Sequence, residues 1–203
     1  MRITLRGLAL VICSLVAVLP TTARAAEPSI PAAAADGTEP SGAVYRICMP
    51  TQWNNKLVVY AHGYVAPNRP VAIPEEQMRL PGSTLTVDQV VTGQGYAFAA
   101  SSYRTNGLAI PEGMADLGEL VELFTQQQGE PAQVLLAGVS EGGQITALAV
   151  ERHPQIFHGG LALCGPYGDF VAQVNYFGDL RVLFDYFFPG LIPGSAVGGP
   201  PAS

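Results

Sequence analysis

Cations are scarce in this chain. Ten Lys and Arg stand against 16 Asp and Glu, for a formal net charge of −6, and charged residues make up only 13% of 203 positions. No Lys/Arg cluster appears, which argues against nucleic acid and against an anionic membrane surface as partners. Cysteine is scarce too: Cys13, Cys48 and Cys164 show no spacing of a metal-binding motif. His62, His153 and His158 are the whole histidine set, and they form no HExxH or other ligand pair. No metal and no cofactor is expected. Long apolar runs are also missing. The longest uncharged one, Gly7–Leu19, falls short of the ~20 residues a membrane-spanning helix needs.

That run has another reading. Arg2 and Arg6 precede it, and Ala23-Arg24-Ala25 follows with small residues where signal peptidase reads. Residues 1–25 are expected to be a secretory signal peptide cut after Ala25, so that the protein is secreted or periplasmic. An uncleaved anchor is the weaker alternative. A lipoprotein is weaker still, because Ile12 precedes Cys13. Cleavage would remove three arginines and leave the chain more acidic. After it, no membrane partner is expected. Cys48 and Cys164 would remain. Both lie in apolar runs, and although secreted proteins can join such pairs, they are expected to be unbonded because their strands flank the run Val134–Ala137 from different sides.

Residues 26–42, rich in Ala and Pro, read as a disordered leader or an extended arm. From Ala43 the texture changes. Ala43–Met49 reads as a strand stopped by Pro50, and Lys56–Ala61 as a buried strand. A short helix is expected over Thr86–Thr92 and a strand over Tyr96–Ser101. Leu117, Leu120, Val121 and Phe124 recur at helical spacing within Met114–Gln127. A strand over Gln133–Gly138, a helix over Gly142–Arg152 and a strand over Leu161–Cys164 follow. Continuous apolar strands alternating with helices indicate an α/β fold with a mostly parallel, doubly wound sheet covered on both faces. The domain is expected over 43–168. The remainder, 169–203, is an aromatic stretch, Phe170–Phe188, followed by Pro/Gly-rich coil.

The sharpest motif is Gly138-Val139-Ser140-Glu141-Gly142-Gly143. As a bare G-x-S-x-G it is weak, since about 0.07 matches are expected by chance in such a chain. Its setting makes it informative: an apolar strand runs into it and a helix runs out, as a nucleophile elbow requires. A serine on so tight a turn projects Oγ above the sheet edge. Gly138 and Gly142 stand where a Cβ would collide with strand or helix. The helix start places the Glu141 N–H near the reacting centre, as one candidate oxyanion donor. The bland alternative is a serine that only caps a helix. A second motif, His62-Gly63-Tyr64, follows the strand Lys56–Ala61. The Tyr64 N–H is the second candidate donor, Gly63 allows close approach to a substrate, and His62 is expected to brace the loop rather than act as a base.

With these residues the chain resembles the α/β-hydrolase superfamily, over roughly Ala43 to Gly165. The resemblance rests on Leu57–Tyr64, Gly95–Gly107 and Val134–Gln144, and the elbow is similar to that of secreted esterases and prolyl-oligopeptidase-like peptidases. It implies that Ser140 attacks the carbonyl of a small-molecule acyl substrate while a histidine takes its proton. The family's order of serine, acid, histidine is not met. His153 and His158 lie where the helix after the elbow has carried them away. Asp169 is expected to cap the next helix, and Asp179 and Asp185 to form its polar face. The aromatic stretch resembles the start of a cap, and the reading frame is expected to continue past Ser203 to the acid and the base. A serine esterase is the leading expectation. A prolyl-oligopeptidase-like peptidase is the alternative within enzymes, and a non-catalytic binding protein on a hydrolase scaffold the alternative outside them.

Overall fold

The computed structural model describes residues 35–194. The expected signal peptide and the start of the leader lie outside the described residues. Ten elements follow one another: β1 (Ala35–Thr38), β2 (Val44–Cys48), β3 (Lys56–Ala61), α1 (Val87–Gly93), β4 (Ala97–Ser101), α2 (Ile110–Gln128), β5 (Gln133–Val139), α3 (Glu141–Arg152), β6 (Gly159–Leu163) and α4 (Phe170–Phe187). A short 3₁₀ turn, Glu75–Met78, interrupts the long loop after β3. The strands form one sheet in the order β1-β2-β4-β3-β5-β6. β1 and β2 run antiparallel to their neighbours, and the pairs β3/β4, β3/β5 and β5/β6 are parallel.

The apolar runs are central strands, as their composition requires. Every residue of β4 is buried. On one face Leu57, Val59, Ala97, Ala99 and Leu136 pack against Leu117, Leu120 and Phe124 of α2 and Ile145 and Ala149 of α3. On the other, Tyr60, Phe98 and Ala100 meet Met78, Val87 and Val91. Alternate residues of one strand thus serve opposite faces, which is why these strands lack a polar side. Trp53 closes the lower end, edge-on to Phe124 at 5.8 Å.

One expectation is corrected here. Part of the supposed disordered leader is a strand. Asp36 lies directly opposite Arg46 in the β1–β2 ladder, and Arg46 Nε and Nη2 each donate to its carboxylate at 2.8 Å. Main-chain pairing and this two-pronged ion pair hold a segment whose composition has no apolar pattern to announce it. Cys48 and Cys164 are both free, as expected; Cys48 is buried, whereas Cys164 is exposed. It follows the last residue of β6 with φ of 52°, so its side chain leaves the strand's alternation.

The sheet and α3 approach each other unusually closely where β5 turns into α3. A Cβ on Gly142 would fall inside the contact radius of Ala61 O, and one on Gly138 inside that of Gly142 O. Both obstacles are backbone, which cannot swing aside. Gly142→Ala is therefore expected to destabilise the fold by about 3 kcal/mol or more. Urea unfolding followed by Trp53 emission measures this; a midpoint within error of the parent would contradict the close packing.

Candidate active site

β5 ends at Val139 and α3 begins at Glu141, so the whole reversal of direction falls on one residue. Ser140 takes φ 58° and ψ −121°, a conformation costly for a residue with a Cβ. The surroundings fix it. Ser140 N–H donates to Leu163 O at 2.9 Å, and Gln144 N–H returns to Ser140 O at 3.2 Å. Ser140 lines two cavities. One, of about 340 Å³, is bounded by Pro166 and by Phe170, Val174 and Phe177 of α4. The other, of about 440 Å³, is mostly apolar, with Tyr60, Leu80, Val87, Leu161 and Leu163 in its wall.

The His62-Gly63-Tyr64 loop lies directly against this serine. A Cβ on Gly63 would come 3.3 Å from Ser140 Cβ. Gln77 clamps the loop from outside: its Oε1 accepts from Gly63 N–H at 2.7 Å, and its Nε2 donates to Tyr64 O at 3.1 Å. Tyr64 N–H has no acceptor among the described residues. Tyr64's side chain is half-exposed. His62 is buried and stacks on Tyr103 at 4.0 Å. Its Nδ1 donates to Gly63 O at 2.7 Å, while Nε2 has no partner. Tyr103, itself buried at φ 57°, donates its hydroxyl proton to His62 O at 3.1 Å. Neither Gln77 nor Tyr103 stands out in sequence, because each acts through a single side chain far from either motif.

Glu141 has a second attachment. Its buried Oε1 accepts from Ala109 N–H at 2.6 Å. Ala109 is the N-cap of α2, so the residue after the nucleophile is tied to a neighbouring helix start. Burial pushes the Glu141 carboxyl above its ordinary range, and the Ala109 N–H partly offsets this. The backbone N–H of Glu141 belongs to the first turn of α3, where no intrahelical acceptor exists.

No histidine of the chain hydrogen-bonds Ser140. His62 is engaged as described. His153 caps the far end of the 12-residue α3, ~18 Å along its axis. His158 is held at the start of β5: its N–H donates to Val134 O at 2.8 Å and its Nδ1 accepts from Val134 N–H at 3.1 Å. Ser140 lies six residues beyond Val134 along the strand, on the order of 20 Å. Asp169 is the N-cap of α4, accepting from Ala172 N–H at 3.0 Å. Asp185 pairs with Arg181 within α4.

Burial holds the His62 imidazole below its ordinary value. The unfolded chain, with His near 6.5, then takes up the proton first. The stability His62 contributes is present above about 6.5 and is lost as pH falls from there through the lowered folded-state value. NMR titration of the His62 ring is expected to give a pKa under 6.5; a value at or above it would contradict the buried, neutral ring.

No family model matches the sequence, and no curated protein does. Solved structures do match in fold. The Pyrococcus furiosus esterase Pf2001 aligns in one crystal form over 81% of this chain and 64% of its own, at 19% identity and TM-score 0.51. In a second form the figures are 66%, 51%, 18% and 0.50. Weaker likenesses include the rice cell wall degrading esterase LipA from Xanthomonas oryzae, at 16% identity over 78% of this chain and 52% of that one, TM-score 0.48. Another is prolyl oligopeptidase B from Galerina marginata, at 15% identity over 66% and 20%, TM-score 0.45. This chain thus spans between half and two thirds of the length of Pf2001. Its sheet order, its flanking helices and the strained turn between β5 and α3 give it the fold of the α/β-hydrolase superfamily.

Proposed function

We propose that this chain is the nucleophile-bearing part of a serine hydrolase that acts on ester bonds of apolar acyl substrates. The observation that carries the reading is the backbone of Ser140: a non-glycine residue at φ 58° between a central strand and a helix start, lining two cavities. Strain of this kind persists only where the surroundings impose it, and it gathers at functional sites. In this reading Ser140 Oγ attacks the acyl carbonyl. The Tyr64 and Glu141 N–H groups receive the oxyanion. His62, Gly63, Gly138 and Gly142 hold those groups in place. The cavity walls supply apolar contacts, and α4 serves as the start of a cap.

The proton acceptor is the missing part. Ser140 at its free pKa is a poor nucleophile, and the three histidines are held elsewhere. We place the base, and the acid that orients it, outside these 203 residues. The same arrangement favours the second reading, a binding protein on a hydrolase scaffold.

The full product of the reading frame is expected to react with a fluorophosphonate probe at Ser140 and to lose that reaction in Ser140→Ala. Labelling elsewhere, or none, would support the binding protein instead. The 203-residue chain alone is expected to hydrolyse p-nitrophenyl esters only slowly. Incomplete triads keep about 10³–10⁴-fold over water from oxyanion hole and binding. Fast turnover by the isolated chain, lost in Ser140→Ala, would mean that the base lies among its own residues.

A further inference from the structure

Away from Ser140, three carboxylates from distant parts of the chain meet around one arginine. Glu39 stands in the turn between β1 and β2, and Asp116 and Glu119 lie one helical turn apart on α2. Arg104, in the loop after β4, donates to Asp116 Oδ1 through Nε and Nη2 and to Asp116 Oδ2 through its backbone N–H. Its Nη2 also reaches Glu119 Oε1 at 3.4 Å. One guanidinium therefore faces three acids. The excess falls on Glu39, which is only 3% exposed and whose two carboxylate oxygens both lack a hydrogen-bond partner. Glu119 Oε2 is likewise buried and unpartnered. A buried carboxylate without a partner is expensive, and Glu39 presents one here, while Glu119, held at one oxygen and about a third exposed, leaves its other oxygen unpartnered.

We propose that Glu39, Glu119 and Asp116 form a divalent-cation site, for Ca²⁺, that fastens the β1–β2 arm to α2. One oxygen from each residue lies within 4.8 Å of the others. Oxygens bound to a single Ca²⁺ at about 2.3–2.6 Å span such separations. The ligands are all hard oxygens, which suits Ca²⁺ rather than a softer metal. Three carboxylates and one guanidinium leave two negative charges for a divalent ion to neutralise. The Ser101 side chain faces Glu39 as well. The position carries consequences for the elbow too, because α2 starts at the Ala109 N–H that Glu141 holds.

The test is calorimetric titration of the purified chain with CaCl₂ at pH 8, beside thermal unfolding with and without Ca²⁺. One equivalent is expected to bind to the parent and none to Glu39→Gln or Glu119→Gln. At a hundredfold excess over Kd the parent's Tm is expected to rise by about 5–10 °C, with no rise in Glu39→Gln. Glu39→Gln removes a buried charge and Glu119→Gln a partly exposed one, and both keep the side chain's shape, so they are expected to fold. Absence of binding to the parent would overturn the proposal, as would equal binding to the variants. A parent Tm that ignores Ca²⁺ would overturn it too.

Discussion

The contact on which the site depends is between two stretches of backbone. Gly142, at the start of α3, rests on the carbonyl of Ala61 at the end of β3, and Gly138 rests on the carbonyl of Gly142. The helix start cannot move away without opening the core that Ile145 and Ala149 share with the sheet. It cannot move nearer either. Given a strand that ends at Val139 and a helix that must begin at Glu141, only a reversal within one residue satisfies both. Ser140 absorbs it at φ 58°. The cost of that conformation is met by the packing on either side of it, and the outcome is a hydroxyl at the sheet edge with a helix start behind it.

Around this contact the supports are single side chains reaching from elsewhere. Gln77 spans two backbone groups of the Gly63–Tyr64 loop. Tyr103 presses its ring on His62 and its hydroxyl on the His62 carbonyl. Glu141 reaches back to the start of α2. Each fixes a backbone segment. That is the kind of support an oxyanion site needs, since main-chain N–H groups would do the binding. Elements farther out carry no such constraint. α4 buries none of its residues, though Phe170, Val174 and Phe177 line one cavity beside Ser140.

What could be read from sequence was whatever local pattern encodes. The runs Lys56–Ala61 and Gln133–Val139 are strands because their apolar residues face both layers. The elbow was legible because glycine spacing and the strand-to-helix change coincide within six residues. Long-range pairing was not. β1 is made by its partner: Ala35–Thr38 has no apolar alternation, and only the ladder to β2 and the Asp36–Arg46 pair give it form. The start of α2 lies earlier than its apolar periodicity shows, at Ile110 rather than Met114, because Pro111 sits comfortably in a first turn. The Glu39–Asp116–Glu119 cluster joins positions about 80 residues apart, and no spacing rule announces such a meeting.

The central claim is that Ser140 and two backbone N–H groups form one reacting centre. A crystal structure of the full gene product inactivated by a phosphonate ester tests it directly. Phosphorus is predicted to be bonded to Ser140 Oγ, with one phosphonyl oxygen about 2.7–3.1 Å from both Tyr64 N and Glu141 N. An adduct at another residue would contradict the claim. So would an oxygen turned away from both amides.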